Sequence, residues 1–366
     1  IAQSIYMAGV LVGAVLLGGL SDRLGRRALL IGSNLVMAVC GTCAAFLPNF
    51  ITYCTFRCLC GIAFSGITLN TNSLILEWTP PKGRTIMGTL FAAGFTCGQI
   101  LLAALAYGIR EWRWLQFAVS APFYFFFLYS WLVPESARWL ILKGRSHEAL
   151  KALQRVAIIN GKREEGQKLS EMVNIYTDNF CIIPDQMKMI IPVVCGVAFY
   201  GLGMDLQNFG ISIFLLQFTF GAIDMPAKVV AALLMTYMGR RVTQATVLIL
   251  SGVALLTNAF IPQGMKILRM VLAVFGKGCM AASFACAYLF SGELFPTVIR
   301  QTGMGVVAMM ARVGSVVAPL VLLLWEISPI LPSAIYGIAA IIAGGAATFL
   351  METNNQQLPE SVEEVE

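Results

Sequence analysis

Four basic side chains lie within apolar runs of this sequence, and their type and placement suit ligand binding. They are Arg57, Lys228, Lys277 and Arg312. A charged side chain inside a membrane-spanning segment is costly, so it usually faces a cavity or a charged partner. The four runs that contain these cations hold one acidic residue, Asp224. This excess of positive charge predicts a cavity that binds anions, and a cavity for cations or zwitterions is the disfavoured alternative.

Two of these cations differ in the partners that the sequence offers them. Asp224 and Lys228 are four residues apart, so they share one face of a helix and predict a local ion pair. A pair that opens for substrate is the alternative. Arg312 has no acidic residue within a helical turn. Because a guanidinium presents a fixed fork of donors to carboxylate or sulfate, an anionic substrate is its economical partner.

Residues that would serve catalysis or metal binding are poorly placed. The single histidine, His147, lies in a charged loop, which is typical of a solvated side chain. Cys58 and Cys60 form a Cys-x-Cys pair without His or acidic residues nearby, which does not fit a metal site. We find no paired nucleophile and base and no phosphate-binding loop. We therefore expect no enzyme activity, cofactor, metal or nucleic-acid partner.

Two loops share the pattern E-x-x-P-x-x-x-R. They are Glu77-Trp-Thr-Pro80-Pro-Lys-Gly-Arg84 and Glu293-Leu-Phe-Pro296-Thr-Val-Ile-Arg300. Each shared position is offset by 216 residues, and Gly98 and Gly314 in the following apolar runs keep that offset. A carboxylate and a guanidinium at fixed spacing can bond in one conformation and separate in another, which predicts a gate. Positive charge that only fixes membrane topology is the alternative.

The elements that carry these residues are predicted to be membrane helices. The 366 residues are 58% hydrophobic and 12% charged, with a mean hydropathy of +0.78, which is too apolar for an ordinary soluble fold. Runs of about twenty residues can cross a hydrocarbon core of roughly 30 Å. We predict eleven spans, near residues 3–20, 28–47, 51–76, 86–109, 114–133, 189–205, 211–237, 244–262, 270–291, 302–325 and 331–350.

The charges and the repeat together predict the organisation of the chain. Most of the 25 Lys and Arg residues fall on the side of loop 21–27, which the positive-inside rule assigns to the cytoplasm. We predict four parts: an N-terminal bundle over 1–134, a cytoplasmic loop over 135–188, a C-terminal bundle over 189–350 and a cytoplasmic tail over 351–366. Within the loop, Ser146–Ala157 reads as an amphipathic helix, either in a plain linker or on a regulatory surface.

Two further pairs of segments extend the repeat. Gly25-Arg26-Arg27 pairs with Gly239-Arg240-Arg241, and Pro134-Glu135-Ser136 pairs with Met351-Glu352-Thr353. Two halves that run in the same direction are typical of transporters whose bundles are related by an axis along the membrane normal. The second half has six predicted spans and the first has five, which predicts one more helix upstream of Ile1.

Several segments resemble known transporter signatures. Gly18-Gly-Leu-Ser-Asp22-Arg23-Leu-Gly25-Arg26-Arg27 resembles the G-x-x-x-D-R-x-G-R-R signature of the major facilitator superfamily. Pro134-Glu-Ser-Ala-Arg138-Trp-Leu, Asn160-Gly-Lys-Arg-Glu-Glu, Met204-Asp-Leu-Gln, Gly276-Lys-Gly-Cys and Gly292-Glu-Leu-Phe-Pro-Thr-Val-Ile-Arg-Gln-Thr-Gly-Met-Gly305 resemble the organic anion transporter branch of the solute carrier 22 family. The resemblance covers nearly the whole chain.

The resemblance implies a fold and a function. The expected fold is all-α and polytopic, with two pseudo-symmetric six-helix bundles that rock in alternating access, here with the first helix missing. The expected function is secondary active transport of amphipathic organic anions such as steroid conjugates, urate or drugs, often by exchange for a dicarboxylate. The expected place is the plasma membrane. A truncated form that is inactive in transport or retained in the endoplasmic reticulum is the alternative.

The charges, the repeated loops and the resemblance together predict two groups of functional residues. The substrate-binding group comprises Arg312, Lys228, Asp224, Tyr200, Phe199, Phe284 and Tyr288, with Phe95 as a weaker member. The gating group comprises Asp22, Arg23, Arg26, Arg27, Glu77, Arg84, Glu135, Arg138, Glu293 and Arg300. The position of Arg312 is basic in anion carriers of the family and typically acidic in its cation carriers.

Two segments depart from the family pattern. Residues 171–190 do not continue the expected long helical loop. The apolar run after Lys188 has only about sixteen residues, and at about 1.5 Å per residue it reaches roughly 24 Å. Together with the helix expected before Ile1, these departures predict a truncated or alternatively spliced product.

Overall fold

The computed structural model describes residues 2–162, 213–261, 265–322, 324, 328, 330–354 and 356. These residues form helices and connecting turns, with no β-strand among them. The N-terminal bundle consists of α1 (Ala2–Leu24), α2 (Arg26–Phe46), α3 (Phe50–Trp78), α4 (Arg84–Gly108), α5 (Trp112–Ser120) and α6 (Pro122–Ser130). Two short helices follow, α7 (Ala137–Leu142) and α8 (Ser146–Ile159). The described C-terminal bundle consists of α9 (Ile213–Tyr237), α10 (Arg240–Phe260), α11 (Lys266–Leu294), α12 (Arg300–Leu322) and α13 (Leu331–Ala347).

Prolines and caps set several helix boundaries. Helix α3 ends at Trp78 because two prolines follow Thr79, and a proline cannot continue a helix and favours extended backbone in the preceding residue. Helix α11 likewise ends just before Pro296. At the start of α3 the Asn49 side chain accepts a hydrogen bond from the Ile51 amide at 3.3 Å. The repeated prolines of the two loops therefore end equivalent helices in both bundles.

Small residues allow close helix packing within each bundle. Helix α1 packs along α3, and α10 packs along α13. At the first crossing a Cβ on Gly13 would meet the backbone of Ile62 at 2.7 Å, and at the second a Cβ on Gly252 would meet the Gly337 carbonyl at 2.6 Å. Lipid tails are as apolar as the side chains, so membrane helices associate mainly through such close contacts.

The helices account for the predicted spans within the described residues. Six of them are long and apolar enough to cross a bilayer: Ala2–Leu24, Arg26–Phe46, Phe50–Trp78, Pro81–Gly108, Arg240–Phe260 and Leu268–Leu294. Helices α9 and α12 overlap the spans predicted at 211–237 and 302–325, and α13 is a shorter apolar helix of 17 residues. The span at 189–205 and the segment 171–190 lie outside the described residues.

The structure also tests the span predicted at 114–133 and the predicted amphipathic helix. The span predicted at 114–133 is divided into α5 and α6, since Pro122 lacks the amide hydrogen that would continue the helix. The amphipathic helix predicted at Ser146–Ala157 is confirmed as α8. Its Ala149 is buried against Trp139 and Leu140 of α7.

Candidate functional site

Two glycine corners position the charged residues at one end of the molecule. Gly25 has φ +101° and Gly239 has φ +90°, backbone conformations that only glycine adopts readily. The Glu135 carboxylate accepts hydrogen bonds from the Arg26 and Arg27 amides, at 3.1 Å each. The Glu352 carboxylate accepts from the Arg240 and Arg241 amides, at 2.8 and 3.1 Å. Each carboxylate therefore caps a helix N-terminus, and the two predicted repeat segments play equivalent roles.

Burial and hydrogen bonding act in opposite directions on Glu135, which lies in the loop between α6 and α7. Burial raises the pKa of its carboxyl, because the charged form loses contact with water. Hydrogen bonds from the Ser136 and Arg27 amides, and the charge of Arg26, lower the pKa and partly offset this effect. The net direction is upward.

Glu77 is the centre of a buried charge network. Its Oε1 accepts from Arg300 Nη1 at 2.9 Å and from Arg26 Nη2 at 3.5 Å. Arg26 also pairs with Asp22 at 3.2 Å. The guanidiniums of Arg26 and Arg300 and the Glu77 carboxylate are at most 1% exposed. One carboxylate is thus shared by two buried cations from different bundles.

Further hydrogen bonds close the same end of the molecule across the two bundles. Arg26 Nη2 donates to the Thr297 carbonyl at 2.9 Å. Asp22 Oδ2 accepts from the Thr302 amide at 2.9 Å and from its hydroxyl at 2.8 Å. Gln301 Nε2 donates to the Leu69 carbonyl at 3.3 Å. These bonds join α1, α2 and α3 to the start of α12.

The C-terminal bundle repeats this network with one difference. Glu293 pairs with Arg240 at 3.2 Å and accepts from the Thr353 hydroxyl at 2.6 Å. Arg84, the repeat equivalent of Arg300, donates to the Gln356 carbonyl at 2.9 Å and has Glu293 within electrostatic reach. Arg84 therefore bonds to a backbone carbonyl at the start of the C-terminal tail, whereas its repeat equivalent, Arg300, bonds to the Glu77 carboxylate.

Three other predicted gating residues lie at the edge of this network. Arg27 Nη2 donates to the Trp131 carbonyl at 2.6 Å. Arg138 is half-buried, and its charge acts on Arg84 and Arg300. Arg23 is exposed at the end of α1, so the structure does not bring it into the buried network.

Lys228 has a different arrangement from the predicted ion pair. Its Nζ donates to the Ala92 carbonyl at 3.1 Å and to the Thr96 hydroxyl, both on α4 of the other bundle. Asp224, one turn away on α9, interacts with Lys228 through space, and Lys277 acts on Asp224 more strongly. The sequence predicted Asp224 as the partner of Lys228, because a spacing of four residues can be seen within one segment. A partner on α4 depends on how the two bundles pack.

The predicted charged residues differ in their burial and their surroundings. Lys228, Lys277 and Asp224 are 7%, 4% and 3% exposed. Arg312 is half-buried on α12, and its Nη1 lies 4.0 Å from the sulfur of Met7 on α1. The Arg57 guanidinium lies over the Tyr6 ring at 4.9 Å, near the opposite end of α3 from the charge network.

The predicted aromatic residues have separate surroundings. The rings of Phe284 and Tyr288 are 5.1 Å apart on α11. Tyr288 packs against a buried apolar cluster that contains residues of both bundles: Ala14, Leu69, Met304 and Ala308. Phe95 is 60% exposed, with Lys228 Nζ 6.0 Å from its ring centroid. Phe199 and Tyr200 lie outside the described residues.

Sequence reasoning missed Thr96, although the repeat contained a signal for it. The offset of 216 residues that relates Gly98 to Gly314 also relates Thr96 to Arg312. The two residues therefore occupy equivalent positions in equivalent helices. Thr302 and Thr297 were also missed, because a threonine or a backbone carbonyl has no charge pattern that marks it as a partner.

Comparison with known proteins identifies the family. A family model described as "Sugar (and other) transporter" matches residues 1–364. Solute carrier family 22 member 6-A of Xenopus laevis is 53% identical over 385 residues, covering 100% of this chain and 69% of that protein. The chain belongs to solute carrier family 22 of these transporters. Organic anion transporter 3 of Homo sapiens is 48% identical over 384 residues, covering 100% of this chain and 71% of that protein.

Solved structures share the fold of this solute carrier family 22 member. The proton:xylose symporter XylE has a TM-score of 0.78 at 18% sequence identity, covering 98% of this chain and 87% of that chain. The human organic anion transporter MFSD10 has a TM-score of 0.67 at 18% identity, covering 94% and 82%. At this identity the likeness shows the major facilitator superfamily fold alone.

The comparisons confirm several predictions made from the sequence. The family assignment, the all-α polytopic fold and the placement among transporters rather than enzymes are confirmed. This member of solute carrier family 22 is a multi-pass membrane protein. The boundaries of its four predicted parts and the roles of its individual residues stay predictions.

Proposed function

We propose that this protein is a secondary carrier of amphipathic organic anions. The supporting observation is Lys228, a cation that is 7% exposed and whose ammonium bonds to α4 of the other bundle, so that it lies between the bundles. A cation buried in a membrane protein usually serves a partner or a ligand, and an anion suits its charge. Related proteins carry the name organic anion transporter, which agrees with this choice.

The proposed binding site divides the ligand between two kinds of side chain. Lys228 and Arg312 bind the anionic group, since an ammonium and a guanidinium both donate to carboxylate or sulfate. Phe284 and Tyr288 contact the apolar body of the ligand, because rings bury a large area and tolerate varied shapes. Phe95 contributes beside Lys228. Phe199 and Tyr200 belong to the proposal on the basis of the sequence resemblance.

Alternating access is the proposed mechanism. With the basic loops in the cytoplasm, the charge network around Glu77 closes the cytoplasmic side. The structure then corresponds to a state whose cytoplasmic gate is shut. Opening requires that Arg300 leave Glu77 and that Thr302 leave Asp22, because both contacts join the two bundles. Charge-assisted bonds that break and reform between two packed states suit this role.

The proposal also covers the membrane in which the protein acts and the counter-ion that it exchanges. We place the protein at the plasma membrane, where it exchanges the organic anion for a dicarboxylate. A dicarboxylate offers the same carboxylate chemistry to Lys228 and Arg312, so one site serves both ligands in turn. Uptake that increases when cells are preloaded with a dicarboxylate would support exchange.

Uptake of a labelled steroid sulfate tests the proposed function. Cells expressing this chain take up the label, and Arg312→Ala and Lys228→Ala reduce uptake at least about tenfold, because each removes a charge-assisted contact to the anion. Surface biotinylation normalises the amount of protein in the membrane. Arg155→Ala, an exposed cation on α8, is the control and leaves uptake unchanged. Unchanged uptake in both site variants would refute the assignment.

One observation favours a second candidate, a carrier of cations or zwitterions. Asp224 Oδ1 is buried and has no hydrogen-bond partner among the described residues. A cationic ligand could supply that partner. Competition distinguishes the two candidates: organic cations that inhibit uptake where organic anions do not would favour the second.

A further inference from the structure

We propose that Thr96 is a positioning residue for the ligand-binding ammonium of Lys228. The inference rests on the function proposed above and assigns a role to an uncharged residue that the charge pattern of the sequence does not mark. Thr96 is fully buried on α4, and its hydroxyl is within hydrogen-bond distance of Lys228 Nζ. The same ammonium donates to the Ala92 carbonyl at 3.1 Å.

The two acceptors form a fixed clamp on one helix. Ala92 and Thr96 are four residues apart on α4, so the Ala92 carbonyl points along the helix toward Thr96 and the two oxygen atoms lie close together. Lys228 approaches from α9 of the other bundle. An ammonium has three N–H donors, and the clamp engages two of them. The third is left to bind an anion in a direction set by α4.

The clamp matters because Lys228 has a competing partner. Asp224 lies one turn away on α9 and interacts with Lys228 through space. A lysine side chain has a flexible four-carbon stem, so without the hydroxyl the ammonium is free to move toward that carboxylate. An ammonium paired with Asp224 must give up that partner to bind a ligand. Thr96 therefore favours anion binding by holding Lys228 in place beforehand, which lowers the ordering cost.

The internal repeat supports this placement independently. Thr96 and Arg312 are related by the offset of 216 residues that relates the two loops. Arg312 is a proposed ligand-binding residue of α12, and Thr96 holds the equivalent place in α4. The two bundles thus contribute equivalent positions, one with a guanidinium and one with a hydroxyl that holds an ammonium.

Three threonine variants of the full chain test the proposal. Thr96→Val removes the hydroxyl and keeps the shape of the side chain, and Thr96→Ser restores a hydroxyl. Thr89→Val is the matched control, because among the described residues the Thr89 hydroxyl donates only to the Thr85 carbonyl of its own helix, at 2.7 Å. The concentration dependence of labelled steroid sulfate uptake is measured at matched surface level. Thermal stabilisation of the purified variants by the same sulfate gives a second measure of binding.

We expect Thr96→Val to raise KM about tenfold and to leave the maximal rate within about twofold, as for the loss of one hydrogen bond to a charged group. Thr96→Ser and Thr89→Val keep the KM of the unmodified chain. Adding Thr96→Val to Lys228→Ala has no further effect, because Thr96 acts through Lys228. The concentration of the steroid sulfate that is needed for thermal stabilisation of each variant follows the same order as the KM values.

Two results would overturn the inference and leave the proposed function intact. One is an unchanged KM in Thr96→Val beside an impaired Lys228→Ala. The other is an equal rise in KM when Thr96→Val is added to Lys228→Ala. If the unmodified chain neither takes up the sulfate nor is stabilised by it, the proposed function fails, and this inference fails with it.

Discussion

At the scale of single residues, Glu77 has the most demanding environment in the charge network. Its carboxylate is 1% exposed and is shared by Arg26 and Arg300, which are both fully buried. Two buried cations beside one carboxylate are stable only while that carboxylate keeps its charge. Taking one partner from a buried ion pair leaves an uncompensated charge, whereas a surface pair gains little from its partner.

Neutralising Glu77 is therefore expected to destabilise the protein. Glu77→Gln lowers the free energy of unfolding by about 3–5 kcal/mol, because Arg300 loses the carboxylate that it pairs with and Arg26 keeps only Asp22. Thermal unfolding in detergent measures the change. Glu148→Gln is the matched control, since the Arg145–Glu148 pair has side chains 51% and 52% exposed. That control changes the free energy by less than about 1 kcal/mol. Equal unfolding midpoints for the two variants would contradict the prediction.

At the scale of elements, the two glycine corners connect the ends of helices to the charge network. Helix α2 begins immediately after Gly25, and α10 begins immediately after Gly239. Each corner leaves room for a glutamate side chain, whose oxygens cap the amides of the next helix. A Cβ on Gly25 would lie 2.5 Å from Glu135 Oε2. The corner and the cap are therefore one structural unit.

Alanine substitutions at two glycines compare a left-handed turn with a corner that also holds a carboxylate. Gly144 also has a positive φ, +72°, but a Cβ there meets no atom within 4 Å. Gly144→Ala costs only the strain of a left-handed residue, about 1–2 kcal/mol. Gly25→Ala costs about 1 kcal/mol more, because φ +101° with ψ 155° lies in a region that only glycine adopts readily and because a Cβ there displaces Glu135. Equilibrium unfolding of the two variants measures both values, and a larger loss at Gly144 would show that Glu135 does not stabilise α2.

At the scale of the whole molecule, the bundles meet through apolar clusters as well as through charges. Leu76 of α3 is buried with residues of the C-terminal bundle, including Met235, Cys286 and Leu289. Separation of the bundles at this end would expose that cluster to water. Cys286 is 1% exposed in this structure, so labelling of its thiol would report a separation of the bundles.

Weakening a contact between the bundles is expected to expose Cys286. In a chain with Cys286 as its sole cysteine, Thr302→Val removes one hydrogen bond to the Asp22 carboxylate. The loss raises the open population and the rate of labelling by a membrane-permeant maleimide about tenfold. Thr246→Val is the control, because the Thr246 hydroxyl donates only within α10, at 2.8 Å. A labelling rate that stays at the control value would show that this contact does not hold the gate closed.

The fold was largely predictable because membrane helices are specified by local sequence. A run of about twenty apolar residues satisfies its own backbone hydrogen bonds, so the span needs no information from distant residues. The prolines after Thr79 and Phe295 marked the ends of α3 and α11 in the same way. One predicted span is divided into α5 and α6 at Pro122. The apolar pattern did not predict this division, because proline interrupts a helix without interrupting the apolar run.

The sequence by itself determined the family, the repeat and the charges that lie within the membrane. Tertiary structure alone decided which of those charges meet. It gave Lys228 partners on α4 instead of Asp224, and it placed Arg300 on Glu77 of the other bundle. The physical reason is that spacing along a helix reveals only neighbours within that helix. A hydrogen bond between bundles depends on how two separate helices approach, and no local pattern records that approach.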